Sequence, residues 1–528
     1  MKKGFQYLLA GLILSLAGLE ANAQFPEDAL RYGYPVPSGT ARSQAIGGAM
    51  GSLGGDISAA HINPAGIALF KNNELVITPQ YNMLTNKFEY QGSNTSSQKS
   101  GIRYGTSGFV FGREINNPNS KNESSAFALT INRTADFNDD IRYKGFNNTS
   151  SWTEQYLEEL YNQNIREFDR LENDFPYGSS LAFWTFLIDT ISDGQGNIAG
   201  YQSTTPLNPG GSNTIGVNQH NNIMTRGGSN EIALSYGVNR EDKLYWGLSL
   251  GIPITNYERM QTYREEDANN DPNNDFNYFE YRETYNSMGV GFNVKFGLIA
   301  RAGDNLRFGL ALHSPTFSGF RDDMVSSITA DTENFTNRPQ PVSKSSDELN
   351  SANGWSNNYK YNLTTPAKVI GSVSYVLNSV QDVKQQKGFI TADLEYVTSR
   401  GVRYSASDPT NQGDVDYYSN LNDIIKDRYK NTFNARVGGE LKFTNVMARA
   451  GFAYYGSPYK STDLLGTRML LSGGLGYREA GFSVDLTYVH GIYKASHVPY
   501  YLGDKPNVVA DGNNNKGMVV LTFGYKFL

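Results

Sequence analysis

Five histidines, at positions 61, 220, 313, 490 and 497, are the residues best suited to proton transfer or metal binding. Their spacing matches neither HExxH nor any other paired-ligand pattern, so no metal site is expected. The chain has no cysteine, which removes disulfides, thiolate metal sites, thiol nucleophiles and a lipid-modified N-terminal cysteine. Serine and aspartate abound, but no histidine falls mid-strand beside an inward serine, so a Ser/His/Asp hydrolase would lack its base. GSLGGDIS (51–58) does not follow a buried strand and open a helix in a βαβ unit, the scaffold a phosphate loop requires. The sequence therefore predicts no catalytic residue and no cofactor.

What chemistry remains lies in charges placed within alternating segments. Glu231 is opposite in parity to Ile232, Leu234 and Tyr236, Lys295 to Phe292, Val294 and Phe296, and Asp485 to Val484 and Leu486. In NTFNARVGGELKF, Arg436, Glu440 and Lys442 share a face with Asn434, while Phe433, Ala435, Val437, Leu441 and Phe443 share the other. The last segment sets Val519, Leu521, Phe523, Tyr525 and Phe527 against Thr522, Gly524 and Lys526. A period of two with one greasy and one polar face suits a strand between lipid and a lumen. A lumen holding both signs of charge favours paired, bracing ions over a wide nonspecific pore.

The elements that would carry these faces number fourteen. They run from 74–84, 105–113 and 124–134, through 229–239, 243–257, 280–300, 305–315, 360–377, 387–398, 431–443, 446–455, 468–478 and 481–492, to 516–527. Links after even-numbered segments are short, as at Thr444-Asn445 and Glu479-Ala480, whereas 135–228, 258–279, 316–359, 399–430 and 493–515 are long and rich in Asn, Asp, Ser and Tyr. All long loops then leave one rim, the plan of a bacterial outer-membrane barrel. The expected fold is an all-β, fourteen-stranded antiparallel transmembrane barrel.

Composition agrees. Of 528 residues 39% are hydrophobic and only 19% charged, with 35 Tyr, 28 Phe and 54 Gly. That is neither a disordered chain nor a helical membrane protein. Lys2 and Lys3 before the run Leu8 to Leu19, then Ala21-Asn22-Ala23, read as a signal peptide over 1–23. No later run reaches the 18 apolar residues of a spanning helix. The net charge of −6, and the lack of any basic tract, argue against nucleic acid as a partner.

Two regions stand outside the wall pattern. Residues 24–72 are Gly-, Ala-, Pro- and Ser-rich without a period of two, and read as a compact segment with short helices. Within the extracellular insert 135–228, Ser151 to Asp174 reads as an amphipathic helix, with Ser151 and Glu154 spaced as a capping box. After it, Leu181, Phe183, Trp184, Phe186 and Leu187, with Ile188, form an apolar patch that must be covered or used. It either packs as a cap on the barrel mouth or presents an entry groove for apolar solutes.

The stretch TARSQAIGGAMGSLGGDISAAHINPAGIALFKNNELVITPQY resembles the N-terminal region of the FadL/TodX family of outer-membrane transporters for hydrophobic compounds, and Asn63, Pro64, Ala65 and Gly66 match its NPAG-like element. LRFGLALHSPTFSGF, TTPAKVIGSVSYVL and LSGGLGYREAGFSVDLTYVH are similar to later parts of that family. The resemblance implies a barrel blocked by an N-terminal hatch (24–72), with 73–528 forming the wall. It also implies a hydrophobic small-molecule ligand, fatty acids among them, that is captured outside and leaves sideways through a gap in the wall. Outer-membrane lipid would surround it. The competing expectation is a barrel that scaffolds a secretion or assembly complex, with an envelope protein as partner.

Overall fold

In this computed structural model the described residues are 26–33, 38–115, 117, 119–207, 215–333, 335–336, 338–354, 356–377, 387–461 and 466–527. The expected leader, 1–23, lies outside them. Fourteen strands form one closed antiparallel barrel. They are β1 (Asn73–Ile77 and Pro79–Tyr90), β2 (Ser93–Tyr104 and Ser107–Glu114), β3 (Asn122–Asp136 and Asp139–Asn147), β4 (Val217–Arg240), β5 (Leu244–Asp267), β6 (Tyr278–Ala302) and β7 (Leu306–His313 and Phe317–Asp331). The circuit continues through β8 (Asn358–Thr364 and Lys368–Leu377), β9 (Gly388–Val397 and Arg403–Ala406), β10 (Thr432–Phe443), β11 (Val446–Tyr455), β12 (Arg468–Glu479), β13 (Phe482–His497) and β14 (Ala510–Phe527). Closure is made by β14 on β1, from Asn73↔Phe527 to Glu89↔Asp511.

The alternation works as the sequence requires. Ile232, Leu234 and Tyr236 face outward, as do Leu248, Leu250 and Ile252, and Leu471 and Leu475, while Glu231, Ser235, Ser249 and Asp485 are buried within. An exterior of exposed aliphatic and aromatic side chains over a polar interior is the surface of a wall set in a bilayer. Short turns gather at one rim. Glu241 and Asp242 both take positive φ (54° and 50°) in the three-residue link between the paired Arg240 and Leu244, a tight hairpin connection.

Strands are longer than their apolar stretches suggest. β4 and β5 have 24 residues each and β6 has 25, whereas ~9–11 tilted residues cross a bilayer. Their upper halves stand beyond the membrane and lose the greasy outer face, which is why 85–90, 93–104, 217–228 and 317–331, expected as loop, are strand instead. The insert is therefore shorter than 135–228. The expected long helix is two, α4 (Thr153–Asn162) and α5 (Phe168–Asp174), separated at Asn164 in the left-handed region (φ 48°). Half the capping box forms, Ser151 N donating to Glu154 Oε2 at 3.0 Å, while the Ser151 hydroxyl turns to Glu265.

Two fillings occupy the interior. Residues 38–70 lie inside the wall and carry α2 (Ala41–Ala45), α3 (Ala59–Ile62) and a 3-10 turn, Pro64–Leu69. Above them the lumen is packed with aromatic rings beneath α4, α5, α6 (Ser179–Trp184), α7 (Ser346–Asn353) and α8 (Gln412–Arg428). The N-terminal helix α1 (Pro26–Arg31) joins this upper filling, with Leu30 and Tyr32 among Tyr257, Tyr285 and Phe320.

Candidate functional site: a plugged lumen with a cavity above the plug

Asn63 fastens the lower filling. Its Nδ2 donates to Gly51 O at 2.6 Å and, across the lumen, to Leu298 O of β6 at 3.1 Å, while its Oδ1 accepts from Ala65 N at 3.1 Å and starts the 3-10 turn. Pro64 at the first position of that turn costs no hydrogen bond. Gly66 sits against Ala59 and Leu53, where a Cβ would crowd both. The wall meets this segment with inward glycines. A methyl group on Gly297 would overlap Asn63 Oδ1, on Gly247 Pro64 O, on Gly309 Gly51 O, and on Gly438 or Gly451 the backbone around Ile46. Backbone thus packs directly on backbone, so much of the high glycine content serves contact rather than turns.

Charges complete the seal. Arg449, with a fully buried side chain, donates to Glu440 (2.6 Å) and Asp485 (2.5 Å), and Arg42 of α2 reaches Glu440 at 3.3 Å. Arg436 pairs with Glu395 at 3.0 Å. Glu231 binds Lys295 (2.6 Å), Asn293 Nδ2 (2.7 Å) and His61 Nδ1 (2.8 Å). Lys442 is half-buried on the same face. The inward charges read from the sequence thus reach the interior, but their partners Arg42, Glu395 and Arg449 were not singled out there, and His61 was named only as one of five histidines.

One of these arrangements has the outline of a catalytic relay: Thr130 Oγ1 lies 2.9 Å from His61 Nε2, and His61 Nδ1 faces Glu231. Thr130 is only 2% exposed and stays behind α3, outside the cavity lining, while Glu231 also serves Lys295. In this position the chain of contacts ties α3 to β3, β4 and β6.

Above the seal lies a cavity of about 200 Å³. His61, Glu231, Lys295, Lys368, Glu395 and Arg436 make its polar side, and Tyr32, Phe320, Pro366, Tyr455, Leu470 and Val489 make its apolar side. Its roof is the aromatic filling, in which Tyr32 stacks on Phe320 (4.7 Å) and Phe320 on Tyr361 (5.5 Å).

The apolar patch of the insert divides. Leu181, Leu187 and Ile188 are buried with Trp152, Tyr263 and Phe279 in the extracellular cap. Phe183 is partly buried, Phe186 half-buried beneath Arg338 (5.1 Å to the ring), and Trp184 is 38% exposed beside Phe168 at 46%. Phe168, Phe183 and Trp184 form a contiguous ring cluster, with centroids 5.3 and 5.2 Å apart. Within the cap, burial raises the Glu159 carboxyl to about 7, against the opposing pull of the Ser179 hydroxyl that bonds it. Burial also raises Glu265, which Ser151, Trp152 N, Gln219 and Tyr263 bond.

No protein-family model and no curated protein matches the chain. Among solved structures it is similar to a Pseudomonas aeruginosa FadL homologue at 13% identity and TM-score 0.55, over 94% of this chain and 100% of that one. Also similar are the P. putida toluene transporter TodX, at 10% identity, TM-score 0.47 and 94% and 99% coverage, and the CymD monoaromatic hydrocarbon channel, at 11%, 0.46 and 94% and 98%. The first of these likenesses shows the fold: a β-barrel built like that of the FadL homologue. At such identity the likeness speaks for fold and not for ligand.

Proposed function

We propose that the protein is a passive conduit for hydrophobic small molecules across the outer membrane, long-chain fatty acids or other apolar compounds among them. The observation that carries this reading is the pairing of a blocked lumen with a cavity lined on one side by rings and aliphatic groups. A solute that moves through water gains nothing from such a lining, whereas an apolar one gains about 25 cal/mol per Å² buried. Phe168, Phe183 and Trp184 offer a first contact outside, and rearrangement of the segment 38–70, with Asn63 to Gly66 at its fastening, releases the ligand past the hatch. The upper stretches of β2 and β3 share no backbone ladder, and this gap supplies a sideways route into lipid. No nucleotide or ion coupling enters the scheme.

Native mass spectrometry of the detergent-purified protein, with solvent extraction of what it carries, tests the reading. A bound acyl or aromatic molecule, together with faster uptake of that compound by cells expressing the protein, is the expected result. An empty barrel that does not speed uptake would overturn it. The exposed rings of the cap, Tyr161 of α4 (75% exposed) among them, also suit protein contact. A stoichiometric envelope protein co-purifying with an empty barrel would establish the scaffold reading instead.

A further inference from the structure

Toward the rim of short turns the inward charges stop balancing. Lys442 follows Glu440 on β10, just before the turn at Thr444, and Arg478 ends β12 just before Glu479-Ala480. Both hold the inward parity of their strands, and Arg42 and Arg449 stand within electrostatic reach of each. Four cations therefore share two carboxylates, Glu440 and Asp485, which Arg42 and Arg449 already bond. Other carboxylates of this region are engaged. Asp56 accepts from the Thr40 hydroxyl (2.7 Å) and Ser58 N (2.9 Å), and Glu74 leans toward Lys526 at 3.9 Å.

Lys442 and Arg478 are left over. Among the described residues neither side chain makes an ion pair or a hydrogen bond, although Arg478 Nε is buried. Arg449 Nη2 is buried and unbonded as well, and Arg307 of β7, whose Nε is in the same state, adds its charge to the field around Arg42. A buried donor without an acceptor is costly, and so are like charges gathered in a low-dielectric interior. Stability alone would be better served by a neutral side chain at 442 or 478. Both residues are only half-buried, so an ion can reach them from the side of the short turns.

We infer that Lys442 and Arg478, backed by Arg42 and Arg449, form a binding site for a tetrahedral oxyanion of phosphate size, and that the anion fastens the segment 38–70 from below. A guanidinium offers N–H groups in a fixed fork and an ammonium adds a point charge, the two means by which proteins hold phosphate. Bound there, the anion supplies the negative charge that Glu440 and Asp485 leave short. Because Arg42 belongs to α2 of the inner segment while Lys442, Arg449 and Arg478 belong to the wall, it ties one to the other. The site is independent of what passes through the lumen, so it stands or falls apart from the transport reading.

The test uses the full-length protein in detergent and phosphate-free buffer. Inorganic phosphate is titrated in while the midpoint of heat-induced unfolding and the protease protection of 38–70 are followed, with sodium chloride at matched ionic strength to account for screening. Phosphate is expected to raise both quantities to a plateau, and chloride neither. Lys442→Gln with Arg478→Gln should raise the midpoint in phosphate-free buffer, since the unpaired charges are gone, and weaken the phosphate response about tenfold or more, as when one charge-assisted bond is lost. Lys442→Arg should preserve the response. Equal effects of phosphate and chloride would overturn the site, as would an undiminished phosphate response in the double variant. A lower phosphate-free midpoint in that variant would show that the two charges are already satisfied within the protein, which also overturns it.

Discussion

The lower and upper halves of the lumen are both full, and they are filled by opposite means. Below, the segment 38–70 touches the wall through glycines and a buried ion network, so main chain lies on main chain. Above, large rings pack on one another in two clusters, with hydroxyls and amides bonded among them, as where Asn147 and Ser150 meet Tyr500. Backbone contact and paired charges specify one arrangement and tolerate no added atom. Ring packing spreads its energy over many small contacts and tolerates adjustment. The lower half is held by contacts specific to one arrangement, so any movement of it must break them together, whereas the upper half can yield gradually to a guest.

Cutting the ion network should break this contrast most sharply. Arg449→Met leaves Glu440 and Asp485 buried with one cation fewer, and loss of a single partner from such a network costs ~3–5 kcal/mol. A large fall in the midpoint of heat-induced barrel unfolding on gels is expected, with the segment 38–70 becoming open to protease. A midpoint within a degree or two of the parent would mean that the charges do not fasten the lower half.

In the cap the sensitive quantity is pH rather than charge pairing. Glu159 titrates at about 7 when folded, against 4.5 for the free side chain, because burial disfavours its ionised form. The folded cap therefore holds this proton where the unfolded chain has lost it, and stability falls as pH rises from 4.5 to 7, by up to about 3 kcal/mol above that range. The protection of α4 and α6 against hydrogen exchange, corrected for the base-catalysed intrinsic rate, should fall between pH 5 and pH 7, where most of this loss is spread. Glu159→Gln should remove most of that slope and protect the cap at pH 8. Glu265, raised by burial in the same direction, leaves a residual slope. An unchanged slope in the variant would sink the assignment to Glu159.

A smaller effect separates close packing from charge. Gly297→Ala puts a methyl group onto Asn63 Oδ1, and overpacking of this kind costs ~1–3 kcal/mol. Gly371, whose Cβ would meet nothing within 4 Å, is the control. Gly371→Ala should leave hatch protection from protease intact, while Gly297→Ala should weaken it.

These glycines also mark the limit of what the sequence discloses. Strand number, the sorting of loops and the facing of Glu231, Lys295, Arg436 and Asp485 were legible, because alternation is local and each strand repeats it. Inward Gly237, Gly247, Gly297 and Gly309 fall at the polar parity of their strands, so their role as contact points was open to reading from spacing alone. The partners were not. Arg42 meets Glu440, and His61 meets Glu231, across 398 and 170 residues of chain, and no local pattern encodes such a match. Strand ends were misjudged for a related reason: above the bilayer both faces become polar or ring-covered, and the period of two fades while the hydrogen-bonded ladder continues.

The smallest effect on stability bears most directly on function. Trp184 and Phe168 sit on the outer face of the cap, not in its core, so truncating either to Ala should alter stability by ~0.5 kcal/mol or less. If the rings take up an apolar solute, the same changes should weaken its capture, because each ring contributes contact area and a preferred stacking geometry. Trp184→Ala with Phe168→Ala should therefore slow uptake at low tracer concentration and leave the maximal rate unchanged, since the cavity and the hatch are untouched. Uptake equal to the parent at every concentration, with equal amounts in the membrane, would remove the rings from the route and leave them as a surface for another protein.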